Sequence, residues 1–168
     1  MLFDMESFMD KVKDRLVDAS DGLNTFIDDI NTNRNTLDVA RYGFHIALDT
    51  LDYDNGVFYF WQKGLVNVDP YICVYPVSHS TNDDDIDTME VAVSISFYDK
   101  ADGFEPERKL LRYSQALRKC LLRKRFSSYF SGLSVRNLGY EAIEDDSTSD
   151  NISLYSAKVG ISGDVTNE

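Results

Sequence analysis

The residues able to act as base, nucleophile or metal ligand are few and scattered. His45 and His79 are the two histidines and Cys73 and Cys120 the two cysteines. His45 falls in a segment of helical spacing and His79 at the edge of a polar stretch. Neither stands near a G-x-S-x-G or comparable nucleophile motif. The cysteines lie 47 positions apart without a C-x-x-C pair or Cys/His cluster. They read as two buried thiols, not as a disulfide framework or a zinc site. Neither G-x-x-x-x-G-K-[ST] nor G-x-G-x-x-G occurs, so nothing cradles a nucleotide in the manner of those classes. Asp83, Asp85 and Asp87 have the D-x-D-x-D spacing of a calcium loop. The sixth position is Thr88, where the turn needs Gly, and the twelfth is Ser94, where a bidentate Glu belongs. The residues therefore predict no catalytic group, no metal and no cofactor.

Charge is distributed more tellingly. The chain carries a net charge of −12, yet residues 107–126 hold eight basic residues against one acid, leaving −19 on the remainder. Arg108, Arg112, Gln115, Lys119 and Arg123 follow at spacings of 4, 3, 4 and 4, which places them along one face of a helix. Besides an ordinary solvated face, such a stripe reads as a surface for the acidic body of another copy, in head-to-tail contacts that close into a ring. Contact with DNA phosphates is a third reading. The surrounding negative charge opposes it, and no nucleic-acid-binding module is recognisable.

The elements that must carry these residues follow from periodicity. Met5, Phe8, Met9, Val12 and Leu16 form one face of a helix from about residue 4 to 19. Leu37, Ala40, Phe44, Leu48 and Leu51 fit a second helical stripe, against the resistance of Gly43 and several β-branched residues. Asn55-Gly56 is a favoured turn. The aromatic run behind it, with Phe58, Phe60 and Trp61, reads as a strand or as an arm that inserts into a neighbour. Residues 71–77 are apolar on both faces, and Met89, Val91, Val93, Ile95 and Phe97 alternate with Glu90, Ala92, Ser94, Ser96 and Tyr98. Both segments read as strands of one sheet. Between them, 78–87 reads as a protruding polar loop whose Asp83, Asp84, Asp85 and Asp87 are candidates for docking.

Pro106 suits the first turn of a helix running to about residue 129, with Leu110, Tyr113, Leu117 and Leu121 inward and Cys120 beside them. The last third reads as a hairpin around an acidic loop, 144–150, in which Glu144, Asp145 and Asp146 are further docking candidates. Val135 and Leu138 differ in parity, which predicts a bulge near Asn137. The final residues, 164–168, are expected to fray.

The predicted class is thus α+β: a mainly antiparallel sheet flanked by two principal helices, in the order helix, insertion or arm at 20–64, strand, strand, helix, strand, strand. At 168 residues and 43% apolar content the chain suits one domain with one core. Its N-terminus lacks the apolar stretch of a signal peptide, and no run reaches the ~18 apolar residues of a membrane span. A cytoplasmic site of synthesis and no membrane contact are expected.

This arrangement resembles the tail-terminator or tail-completion proteins of tailed bacteriophages and related neck proteins. The resemblance covers residues 1–20 and about 65–163. It lies closest in MEVAVSISFYDKADGFEPERKLLRYSQALRKCL, a strand that passes through a polar connection into a helix with basic residues. It implies a structural virion subunit, assembled in the host cytoplasm. Such a subunit forms a ring that joins tail to head or closes the tail tube around the DNA channel. The implied partners are copies of the chain, other neck, portal or tail proteins, and DNA passing through without sequence-specific binding. The other class of function open to the sequence is a small cytoplasmic adaptor or regulatory domain that binds an acidic protein through the basic helix.

Overall fold

Asp4 starts the first helix by accepting a hydrogen bond from the backbone N–H of Ser7 at 2.8 Å, so one orphan donor of the first turn is satisfied. In the computed structural model, which describes residues 4–60, 67–101, 103–122, 130–144 and 151–166, this helix is α1, Met5–Leu16. Phe8, Met9, Val12 and Leu16 are buried and Met5 packs at their edge, as the spacing predicts. A second helix, α2 (Leu23–Tyr42), and a short strand, β1 (Val57–Tyr59), follow. Then come β2 (Tyr71–Thr81), β3 (Ile86–Lys100), α3 (Phe104–Leu122), β4 (Phe130–Glu144) and β5 (Ile152–Thr166). The described residues thus form an α+β fold with three helices where two principal ones were expected.

The strands form one sheet in the order β1-β2-β3-β5-β4, antiparallel except for the parallel pair β1 and β2. The alternation of β3 fixes its faces. Met89, Val91, Val93, Ile95 and Phe97 enter the main core under the helices, while Ala92 lies in a smaller cluster on the opposite face with Tyr71, Cys73, Tyr75 and Leu154. Helix α3 lies on β3, β4 and β5, α1 touches β2 and β3, and α2 packs on α3. On the opposite face Arg136 donates two hydrogen bonds to Glu90, at 2.8 and 2.6 Å. Gly160 leaves room for that pair, since a Cβ there would stand 3.3 Å from the Glu90 carboxylate and 3.2 Å from Leu138. The predicted bulge is present, as a register shift between Asn137 and Gly139.

Polar strand ends depart from expectation. Of the residues read as loop, 78–81 and Asp87 continue the β2–β3 ladder and Ile86 pairs with Thr166 of β5, so only the turn between remains. Asp87 is accordingly a buried strand residue that accepts a hydrogen bond from Thr81 Oγ1. At the C-terminus 164–166 do not fray: they pair with Ile86, Asp87 and Thr88, and Val165 is buried. Helix α3 extends to Leu122, and 123–129, expected to continue it, lie outside the described residues.

The stretch 20–64, expected as an insertion or arm, contributes Leu23, Phe26, Ile27, Ile30, Leu48 and Leu51 to the main core. Its helical stripe is not the predicted one. Helix α2 buries an earlier set and ends at Gly43, whose φ of 81° is the left-handed conformation glycine tolerates best. Leu37 and Phe44, expected inward, are exposed. Beyond Gly43 the backbone runs extended along α2 as a strap, held by side chains spaced seven apart on the helix. The Asn24 amide donates to the Leu51 carbonyl at 2.9 Å and accepts the Leu51 N–H at 2.8 Å. Asn31 does the same for Leu48, at 2.8 Å each way. Asp38 accepts the Ile46 N–H at 3.1 Å. Each amide replaces a neighbouring strand, because it carries both a donor and an acceptor. Asn31→Ala strands one donor and one acceptor of the strap, and should lower stability by about 1–3 kcal/mol in urea unfolding.

Candidate functional site: a basic groove between two helices

One residue of the predicted basic stripe is buried. Arg112 is 7% exposed and meets Asp38, which is 2% exposed, through paired hydrogen bonds of 2.8 and 2.6 Å. It also donates to the Ile46 carbonyl at 2.6 Å. His45 Nδ1 lies 3.0 Å from the same carboxylate. The cluster joins α2, the strap and α3 at one point. Its position follows from the helices: Asp38 falls seven residues after Asn31, on the side of α2 that holds the strap, and Arg112 flanks Tyr113 on the inner side of α3. The Arg112 hydrogen bonds hold the Asp38 carboxyl well below the usual carboxylate range, with the Ile46 N–H and His45 adding to them, against the opposing effect of burial.

Above this cluster the two helices leave a groove. One cleft of about 480 Å³ is lined by Arg34, Leu37, Arg41, Arg108, Leu111 and Gln115, among others. A second, of about 430 Å³, lies between earlier α2 residues and later α3 residues, among them Asp29, Ile30, Lys119 and Leu122, so the positive charge is concentrated in the first. The pairing of early with late residues means that the helices run antiparallel, with the groove along their length. Its apolar lining is open to solvent: Leu37 is 60% exposed, Leu111 49% and Leu122 57%. At one end Tyr42, Phe44 and Phe104 cluster, with ring centroids 4.9–6.3 Å apart. Arg34, Arg41, Arg108 and Lys119 are exposed and have no ion-pair partner among the described residues.

The predicted site residues therefore divide. Arg108, Gln115 and Lys119 line the groove and Arg112 is a strut beneath it, while Arg123 lies outside the described residues. Asp83, Asp84 and Asp85 are exposed in the β2–β3 turn, apart from the buried Asp87. Glu144 ends β4, and Asp145 and Asp146 lie outside the described residues. Of the aromatic residues, Phe58 meets Tyr71 edge-on at 6.0 Å, Phe60 is 59% exposed, and Trp61 lies outside the described residues. Phe58 is thus a sheet residue and not part of an arm. The contribution of α2 was missed. The signal for it was Arg34 and Arg41, seven apart, but the stripe assigned to this segment turned Leu37 inward and left their shared face unread.

Elsewhere the reactive residues stay dispersed. His79 Nε2 is 3.5 Å from Asp87 Oδ1, and Cys73 and Cys120 are buried thiols. A cavity of about 240 Å³ on the open sheet face is floored by Ser94, Ser96 and Ser156, and the last two hydroxyls bond each other at 2.6 Å. Among the described residues no three His, Cys, Asp or Glu side chains converge as metal ligands, and no helix is long and apolar enough to cross a membrane.

The strut and the groove should respond differently to substitution. Arg112→Met or Asp38→Asn leaves the other partner buried and unpaired, and should cost about 3–5 kcal/mol in urea unfolding. Arg108→Met, on the surface, should change stability by less than about 0.5 kcal/mol. Because the Asp38 pKa is depressed on folding, its stabilisation is complete above the ordinary value of 3.8 and is lost as pH falls below that towards the folded value. Asp38→Asn should therefore flatten the acid limb of the stability–pH curve. Comparison with known proteins finds no family model that matches the chain and no curated protein that it matches in sequence.

Proposed function

We propose that the chain is a structural subunit that assembles with copies of itself into a ring, without catalysing a reaction. In line with the phage proteins it resembles, that ring joins tail to head or closes the tail tube around the DNA channel, among other neck, portal or tail proteins. The observation that carries the assembly reading is the groove between α2 and α3: exposed leucines bordered by arginines without an ion-pair partner among the described residues, on a chain of net charge −12.

Its charge favours a particular symmetry. Two copies meeting groove to groove would oppose arginines to arginines, which disfavours a two-fold dimer through this surface. A groove that meets a different, acidic surface of the next copy makes a heterologous contact, and such contacts close into rings when the rotation allows. The sheet edges offer less. The outer half of β2 carries Pro76 and a register shift beside it, and β4 carries two shifts. Proline and bulges are devices that keep edges from pairing. DNA is a weaker fit to the groove than protein, since exposed leucines and an aromatic cluster do nothing for phosphates while the acidic body repels them.

Size-exclusion chromatography with light scattering tests the reading. The wild-type chain should form a discrete oligomer at low salt that weakens as salt rises. Arg41→Glu with Arg108→Glu should abolish it while circular dichroism stays unchanged. Arg112, a strut, is unsuitable for such a test. A wild-type chain that stays monomeric at high concentration and low salt would sink the proposal.

A further inference from the structure

The groove has an occupant of matching chemistry within the same chain. We infer that it receives the β2–β3 turn of the next copy, residues Asn82–Asp85; this rests on the ring reading above. Asp83, Asp84 and Asp85 are consecutive and exposed, and their carboxylates have no partner among the described residues. Opposite them the groove offers the guanidinium groups of Arg34, Arg41 and Arg108, which can each hold a carboxylate through two parallel hydrogen bonds.

Several other acids are already engaged within the subunit, while exposed ones such as Asp28, Asp29, Glu105 and Glu107 stand on helices and not in a projecting run. Asp4 caps α1, Asp10 accepts from the Tyr59 hydroxyl at 2.6 Å, Asp18 from Ser20 at 2.7 Å, and Asp52 holds its own turn through Asn55. The run at 83–85 is not, and it sits where the chain projects. Every residue of β2 from Pro76 to Thr81 is exposed, and the turn lies beyond the last ladder pair, Thr81 with Asp87.

The turn is also built in advance. Asn82 Oδ1 accepts the N–H groups of Asp84 and Ile86, at 2.9 and 3.0 Å. The Asn82 N–H donates to the Ile86 carbonyl at 3.0 Å, and the Asp85 N–H to the Asn82 carbonyl at 3.2 Å. Below it, Thr81 bonds Asp87, and Thr88 bonds Asp164 at 2.7 Å. None of these bonds uses the carboxylates of 83–85, so the turn presents three charges on a fixed frame. Docking a preformed turn loses less conformational freedom than ordering a flexible loop.

Two measurements on the full-length chain test this. Asp83→Lys with Asp84→Lys should remove the oligomer as completely as Arg41→Glu with Arg108→Glu does, and joining all four changes in one chain should restore it. Asp85 is left in place because its φ of 57° suits Asp or Asn better than Lys. Thermal melts of each variant matching the wild type exclude misfolding. Independently, Asp84→Cys with Gln115→Cys should give a ladder of disulfide-linked species on oxidation. The native thiols do not interfere, since Cys73 and Cys120 are 2% and 0% exposed. If the groove variant dissociates while the Asp83/Asp84 variant stays assembled and no ladder forms, the turn is not the occupant and the ring reading survives. The same holds if Asp145→Lys with Asp146→Lys dissociates the oligomer in place of the turn variant. A wild-type chain that never assembles overturns both.

Discussion

Bringing a guanidinium and a carboxylate together out of water costs several kcal/mol per ion, and their attraction offsets this only when every remaining hydrogen-bonding position is filled. At Arg112 and Asp38 those positions are filled by the strap. Ile46 gives its carbonyl to Arg112 and its N–H to Asp38, and His45 bonds the same carboxylate. The pair is therefore inseparable from the route of the chain after Gly43. Without an extended segment lying against α2 there would be no Ile46 backbone at that point, and without the charges that segment would have no anchor at its start. The groove follows from the same contact, because it sets how α2 lies against α3 and cancels the one cation at the groove floor.

A second buried arginine ties the other end of α3 less completely, since its Nη2 is buried without a hydrogen-bond partner among the described residues. Arg15, on the inner face of α1, donates to the Cys120 carbonyl at 2.9 Å and pairs with Asp21 at 3.1 Å. Its guanidinium also lies 5.9 Å from the Phe26 ring of α2. The carbonyl it holds belongs to the last described turn of α3. The three helices are thus tied by two arginines that bond the backbone as well as an acid, and the leucines between them fill the space so defined.

Both arginines were illegible as struts, and the reason is physical. Periodicity places a residue on a face but does not say how deep the face sits, and a long polar side chain at the edge of an apolar stripe looks the same whether it meets water or a carboxylate. The inner faces of α1 and α3 and the alternation of β3 were legible because many apolar residues agree on one period. The bulge near Asn137 was legible because apolar residues that change parity within one strand can share a face only if an extra residue is inserted between them. The outer β2–β3 hairpin failed for the opposite reason. Ser78, His79, Ser80 and Thr81 look like loop, yet a ladder asks only for backbone partners, and polar pairs such as Thr81 with Asp87 decorate it. The strap failed because its partners are amides seven apart on a helix, a pattern that mimics a strand without any strand sequence.

The exposed leucines of the groove have a cause within the fold. Helix α2 packs chiefly on α3 and not on the sheet, so it forms a partial third layer whose far side has nothing above it among the described residues. Its buried residues cluster towards the N-terminal half, at Leu23, Phe26, Ile27 and Ile30, and after them only Asp38 faces inward. The C-terminal half is held by charge and not by apolar burial, which frees Leu37 to face the groove beside Arg34 and Arg41. In the assembly proposed, such a surface would divide its work: the arginines would act over roughly a Debye length of 8–10 Å, and the leucines only at contact. Had apolar residues stood in place of Asp38 and Arg112, α2 could close down on α3 along its whole length, and the groove would be filled from within. The buried ion pair joins the two helices where the buried apolar residues of α2 have ended.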